Sequence, residues 1–181
     1  TIKLYFMIGH PSETIDDVQA IVDLCKRVID EGRKAAGWKV KLNVGVSTCV
    51  PKPQTPFQWV ACDTRDNILE KQSLLKRQLL KDKNIKLSWT KPEDTLLEAW
   101  LSRGDRRMAE VIYSAWKNGA KFDAWGDETK KQDTWLPAFE EHGLDPAFYT
   151  HRQRRTDEVF PWEHITAAVR KNFLFQDFRQ S

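Results

Sequence analysis

The sequence predicts an α/β fold: a parallel βαβ unit within residues 1–90, followed by a mostly helical part over 91–181. Three observations carry this reading. IKLYFMI (2–8) and VKLNVGV (40–46) are apolar runs of strand length. Between them, apolar residues recur at intervals of three and four, the period of a helix. From Pro92 onward one helical pattern follows another.

Residues Ile2 to Ile8 are almost all apolar after Lys3, as expected of a strand covered on both faces. Gly9-His10-Pro11-Ser12 breaks the run. Thr14 can then cap a helix, with Asp17 reaching back in a capping box. Val18, Ile21, Val22, Cys25, Val28 and Ile29 form its apolar stripe, and Gly32 or Gly37 ends it. Val40 to Val50 reads as the next strand, parallel to the first and joined by a right-handed crossover. Thr64 or Asp63 can cap a second helix that carries Ile68, Leu75 and Leu79 on one face, with Leu69 and Leu80 beside it, and stops at Asp82 to Asn84. Ile85 to Trp89 is a short third strand candidate, and Thr90-Lys91-Pro92-Glu93 starts another helix. Helices are predicted over about 92–102, 105–118, 134–142 and 162–173, the second carrying Met108, Val111, Ile112, Ala115 and Trp116 on one side.

Strands this apolar need neighbours at their edges, and the chain has few to offer. The sequence also enters its first strand at once, without an initiator methionine. Both features predict a fragment of a longer polypeptide, whose open sheet edge would pair with the missing N-terminal portion or with a second copy.

Composition narrows the function classes. Of the 181 residues 40% are hydrophobic and 30% charged, and no apolar run reaches the roughly 18 residues of a membrane span. Twenty-nine Lys and Arg against 26 Asp and Glu leave +3, too little by itself to argue for nucleic acid. Cys25, Cys49 and Cys62 form no CxxC or CxxxCxxC cluster, so this chain writes no metal site. Cys25 falls on the helix stripe as a core residue. The absence of a disulfide pattern and of a signal peptide favours the cytoplasm. GxGxxG and Walker motifs are absent as well.

Ligands of parallel α/β proteins sit at the carboxyl ends of the strands. Here those ends are Gly9 to Glu13 and the segment STCVPKPQTPFQW from Ser47. Pro51, Pro53 and Pro56 hold Val50, Lys52 and Thr55 extended, making a stiff loop. Lys52 can meet a carboxylate or phosphate, Thr55 and Gln58 a polar edge, and Trp59 can stack or simply pack. Glu13 can serve a ligand or the helix start beside it. Arg103, Arg106 and Arg107 can clamp an acidic ligand or pair internally with Asp94 or the carboxylates of DAWGDE (123–128). His151 to Arg155, beside Phe148 and Tyr149, fits either RNA contact or a self-paired loop.

YFMIGHPSETIDD and VGVSTCVPKPQTPFQW resemble the last two strands of a radical S-adenosylmethionine (SAM) barrel, in the group with an N-terminal cobalamin-binding-like domain. SWTKPEDTLLEAWLSRGDRR, NGAKFDAW, WLPAFEEHGLDPAFYTHR and FPWEHITAAVRKNFL resemble that group's C-terminal extension. The resemblance implies the C-terminal part of a partial (β/α)6 barrel followed by a mostly helical extension. It implies a parent with an upstream CxxxCxxC motif, a [4Fe-4S] cluster, SAM and, in this group, cobalamin. Reductive cleavage of SAM would give methionine and a 5′-deoxyadenosyl radical that takes hydrogen from a substrate, RNA among the candidates. Lacking the motif, this chain would hold no cofactor and be inactive alone. By the same resemblance, Gly9, Pro11 and Glu13 would lie near SAM, and Val46, Ser47 and Val50 beside its adenine. Lys52, Thr55 and Gln58, with Arg103 and Arg106, would face the substrate. His10 departs from the leucine more usual in the group. The alternative from another class is an RNA- or protein-binding module built on the basic and aromatic C-terminal region.

Overall fold

The computed structural model describes residues 1–121 and 129–180. They form an α/β protein with a three-stranded parallel sheet and seven α-helices. The chain divides into two compact units, one of Thr1–Cys49 with Asp63–Pro92 and the other of Val50–Cys62 with Glu93–Ser181.

In the first unit, β1 (Ile2–Ile8), α1 (Ile15–Ala36), β2 (Leu42–Thr48), α2 (Arg65–Leu79) and β3 (Ile85–Trp89) follow in order. The strands lie in the sheet in the order β1-β2-β3. The capping box forms: Thr14 Oγ1 accepts the Asp17 N–H at 3.4 Å, and Asp17 Oδ2 accepts the Thr14 N–H at 2.8 Å. The helix runs past Gly32 and ends at Gly37, whose φ of +72° suits glycine and whose N–H bonds the Arg33 carbonyl at 2.8 Å. Thr64 caps α2 by accepting the Asn67 N–H at 3.3 Å. The second strand is shorter than its apolar run. Val40 donates to Gly37 in a turn at one end, and Val50 precedes Pro51 at the other.

The register decides what each face carries. Leu4 pairs with Val44 and Val44 with Leu87; Phe6 pairs with Val46 and Val46 with Trp89. With Ile8, Leu42 and Ile85, these side chains pack against Val18, Val22, Cys25 and Ile29 of α1 and Leu75 and Leu79 of α2. Both helices therefore cover the same face. The other face holds the rows Lys3, Asn43, Lys86 and Tyr5, Gly45, Ser88, with Met7 opposite Ser47. Tyr5 is 79% exposed there and Met7 is exposed too. The expectation that β1 is covered on both faces is thus corrected. A single-residue alternation of exposure is hidden inside a nearly continuous apolar run.

In the second unit a 3₁₀ turn, Pro56–Trp59, is followed by α3 (Pro92–Arg103), α4 (Met108–Lys117), α5 (Thr129–Glu141), α6 (Pro146–Thr150) and α7 (Lys171–Phe178). Its main core gathers Leu96, Trp100, Met108, Val111, Trp135, Phe139 and Tyr149. A second core joins Trp59, Phe160, Trp162 and Leu174. The sequence reading needs three corrections here. Ile112 and Trp116 are exposed, so the buried stripe of α4 is narrower than its apolar one. That helix starts at Met108 because Asp105 accepts the Arg107 N–H at 3.0 Å and holds the preceding residues in a turn. The helix expected over 162–173 is replaced by turns and by α7. Trp162 is drawn into the Trp59 core, and its Nε1 donates to Gln58 Oε1 at 2.8 Å, so tertiary packing overrides the helical period. The short α6 was not foreseen; Asp145 caps it and Pro146 opens it.

No helix among the described residues is long and apolar enough to cross a membrane. The one-sided sheet makes a direct prediction for this chain. Leu79→Ala, in the helix-side core, should cost about 2–5 kcal/mol. Met7→Ala, on the bare face, should stay within about 0.5 kcal/mol. Urea titration of each variant measures the difference, and equal losses would mean that both faces are covered.

Candidate functional site

The carboxyl ends of the strands in the first unit carry a braced turn. Gly9 has a φ of +79°, and a Cβ there would meet Thr48 Cγ2 at 3.3 Å and Asp63 Cβ at 3.4 Å, so both conformation and space call for glycine. The Gly9 N–H donates to Glu13 Oε1 at 2.9 Å. The same oxygen lies 2.7 Å from Lys71 Nζ, which also donates to Asp63 Oδ2 at 2.7 Å. Asp63 Oδ1 accepts from the Thr64 N–H and from Asn67 Nδ2, both at 2.9 Å. Glu13 is therefore more than a charge at a helix start: with Lys71 and Asp63 it fixes the turn after β1 to the entrance of α2.

The electrostatics of this network follow from its geometry. Burial pushes the Asp63 carboxyl up, but Lys71, Asn67 and the Thr64 N–H outweigh it and hold the group below its ordinary 3.8. Burial likewise works against the Lys71 ammonium, and its bonds to Asp63 and Glu13 overcome this and raise it. Both groups are charged at neutral pH. Sequence reading missed Lys71, although it stands three residues after Ile68 and four before Leu75, where a charge beside a buried stripe calls for a partner.

Beside this turn, the bare sheet face forms a groove of about 260 Å³ lined by Tyr5, Gly45, Ser47, Ser88 and Thr90 among others. The Tyr5 ring lies over Gly45, where a Cβ would come within 3.1 Å of it. Ser47 Oγ donates to the Phe6 carbonyl at 3.2 Å and is exposed on this face. Val46 points the other way, into the core against the helices, so only its backbone borders the groove. Pro11 is exposed. Small and hydroxylated side chains over a flat backbone, with one aromatic ring, can seat a planar polar ligand.

The remaining candidates belong to the second unit. Val50 is buried with Cys62 and Ala99. Lys52 is ion-paired with Glu98. Thr55 Oγ1 donates to the Lys52 carbonyl at 2.7 Å, closing the turn between prolines. Gln58 is buried and accepts from Trp162, and its oxygen also accepts the Gln54 N–H at 3.3 Å. Arg103, at 1% exposure, donates to the carbonyls of Pro51 at 2.8 Å, Val60 at 2.8 Å and Tyr149 at 3.2 Å. Its guanidinium thus ties both ends of the proline segment to α6. Arg106 is exposed.

The basic loop pairs with its own acids. Arg152 Nη2 meets Glu158 at 2.6 Å, Arg155 meets Asp157 at 2.8 Å, and Arg107 meets Asp105 at 2.6 Å. Arg154, at 3% exposure, donates to the Arg103 carbonyl at 3.0 Å. Burial and the neighbouring Arg103 and Arg152 push it down to about 10, so it stays charged at neutral pH. With Arg103 and Arg154 both buried, a positive surface joining Arg103, Arg106 and Arg154 does not form. The carboxylates of DAWGDE, expected as partners for these arginines, lie outside the described residues.

Over 144 residues, 79% of this chain, the sequence is 28% identical to an uncharacterized protein of Methanocaldococcus jannaschii. The chain spans about 30% of the length of that relative. No family model matches the chain, and no solved structure matches it.

Two predictions follow from the braces. Arg103→Lys keeps the charge but cannot span three carbonyls, so it should destabilise the chain by about 2–4 kcal/mol in urea titration. For Asp63, the folded carboxyl titrates below its ordinary value, so its stabilisation is full at neutral pH and is lost as pH falls below about 4. Urea midpoints measured from pH 7 down to about pH 3 should fall more steeply for the wild type than for Asp63→Asn; parallel curves would mean that Asp63 does not stabilise the turn.

Proposed function

We propose that this chain is the C-terminal part of a radical SAM enzyme: the last strands of a partial (β/α)6 barrel, with a helical extension, in the cytoplasm. The observation that supports this reading most is the one-sided sheet. Consecutive parallel strands lie in sequential order with both crossover helices on one face, which is the arrangement of a barrel wall with helices outside. One half of an open doubly wound sheet shares this arrangement, and its helices reach the second face only where the strand order reverses, a reversal that β1-β2-β3 does not contain. The bare face, with Tyr5, Gly45, Ser47 and Ser88, then corresponds to the barrel interior, and the Gly9 to Glu13 turn to its rim. The outer edges of β1 and β3 are where strands from the rest of the polypeptide, or a second copy, would pair.

The chain's own residues do not fit an iron-sulfur cluster. Cys25, Cys49 and Cys62 are buried and dispersed, and burial pushes the Cys25 thiol up to about 11, far from the thiolate a metal needs. Among the described residues no three His, Cys, Asp or Glu side chains are placed to hold a metal ion. The reading therefore assigns the cluster to the missing N-terminal portion. The role left to this chain is to form part of the wall and to hold the rim turn with Glu13, Lys71 and Asp63.

The test uses the full-length protein, reconstituted anaerobically with iron and sulfide. Given a strong reductant, it should convert SAM to 5′-deoxyadenosine, read by mass spectrometry. Gly45→Val, which drives a methyl into the Tyr5 ring, should lower that rate about tenfold or more while the cluster still assembles. A full-length sequence without a three-cysteine motif, or a loaded protein that leaves SAM intact, would sink the reading.

A further inference from the structure

The opposite, amino-terminal end of the same sheet carries a feature that barrel chemistry does not use. We propose that this end binds single-stranded nucleic acid, with Trp38 as a stacking platform and the surrounding lysines as phosphate contacts. The inference does not need the radical SAM reading; under that reading Lys3 and Lys86, on the bare face, point into the barrel and the remaining lysines carry the contacts.

Charge is the first observation. Segments 1–3, 30–41 and 81–86 contain eight cationic side chains and three carboxylates, an excess of five in a chain whose total is +3. The three carboxylates are already engaged: Asp30 and Asp82 with Arg33, and Glu31 with Lys34. Lys3, Lys39, Lys41, Lys81, Lys83 and Lys86 are all exposed, and among the described residues none of them forms an ion pair. The backbone gathers them. Lys3 and Lys86 flank Asn43 in one row of the sheet, the Lys41 carbonyl accepts the Ile2 N–H at 2.9 Å, and the Asn84 carbonyl accepts the Leu42 N–H at 2.9 Å. Lys81 and Lys83 also border a groove of about 460 Å³ with Lys26 and Gln78. Six unpaired ammonium groups and a net excess of five positive charges at one end raise a local positive potential that attracts a polyanion.

Trp38 is the second observation. It is 78% exposed, yet its position is fixed from behind. The Arg33 guanidinium lies 4.8 Å from the ring centroid, and Arg33 Nη2 in turn donates to both carboxylate oxygens of Asp82, at 2.8 and 2.7 Å. Asn84 Nδ2 holds the Trp38 carbonyl at 2.9 Å. One ring face is thus backed by a cation that is itself anchored, and the indole stands among lysines. Bases stack on such a ring whatever their identity, while phosphates meet the flanking ammonium groups. An anionic membrane would also attract lysines. It would call for several apolar side chains to insert, and among the large apolar residues of these three segments only Trp38 and, at 38%, Ile2 are exposed.

The test is fluorescence anisotropy of a dye-labelled oligouridylate of about 12 nucleotides with the complete chain. Binding is expected at low salt, weakening by about 10- to 100-fold between about 50 mM and about 200 mM NaCl. Lys39→Glu with Lys83→Glu should weaken it by about tenfold or more, and Trp38→Ala by about fivefold or more. Arg155→Glu with Arg179→Glu, an equal charge change in the other unit, should have little effect. Circular dichroism melts should be unchanged, since all these side chains are exposed. The proposal is overturned by no binding at low salt, by equal losses in the two charge-reversal variants, or by an unaffected Trp38→Ala. Sedimentation with anionic phospholipid vesicles in the absence of oligonucleotide binding would overturn it in favour of a membrane surface.

Discussion

Strand order is the constraint on which the first unit depends. Sequential parallel strands joined by helical crossovers of one hand must send every helix to the same face. That face is then the only one the unit can fill with its own apolar side chains. Its residues follow from this: Leu4, Phe6, Ile8, Val44, Val46, Leu87 and Trp89 face α1 and α2. The alternating positions are released from packing and carry lysine, tyrosine, glycine and serine instead. Gly45 shows the consequence in one place, since the Tyr5 ring occupies the space a side chain would need. A face with small residues under one aromatic ring is ready for contact with something other than its own helices.

The second unit solves a different problem by different means. Its loops are long, and it holds them with buried guanidinium groups rather than with a sheet. Arg103 replaces the water lost by three carbonyls with charge-assisted hydrogen bonds, and Arg154 does the same for the Arg103 carbonyl. Desolvating two arginines side by side is costly, and Glu158 at 3.5 Å from Arg154 offsets part of it. The three prolines reduce the conformations that the segment between Val50 and Cys62 loses on folding. Arginine and proline therefore act on the same segment, one in the folded state and one in the unfolded.

Much of the first unit was legible because its signals are local. The Thr14 and Asp17 capping box, the stripe from Val18 to Ile29 and the short run at 85–89 each state their structure within a few residues. What the sequence withheld depends on distant partners. Nothing near Trp162 announces that Gln58 will accept its indole N–H, so the helical period there was read at face value. Arg103 reads as a ligand clamp or as the partner of a carboxylate, because an arginine at a glycine turn gives no sign of three carbonyls more than forty residues away. Glu13 and Lys71 are separated by α1, β2 and the proline-rich loop, and only the fold reveals them as a pair. Tyr5 was hidden for the opposite reason: its apolar neighbours on the other face masked the alternation.

The two ends of the small sheet show how charge can be arranged for opposite purposes. At the carboxyl end, Lys71 lies between Glu13 and Asp63, so one ammonium faces two carboxylates within a few ångströms and only a single negative charge is left over. Such a network orders backbone and does not draw anions from a distance. At the amino end, ammonium groups outnumber carboxylates and the carboxylates are taken up by Arg33 and Lys34, so the field extends about a Debye length into solution. Repulsion among these exposed like charges is small, and the six lysines make no ion pair among the described residues. The lysines there find partners only when an anion arrives, and Arg33, shared between Asp82 and the Trp38 ring, is the residue that turns this diffuse attraction into a defined surface.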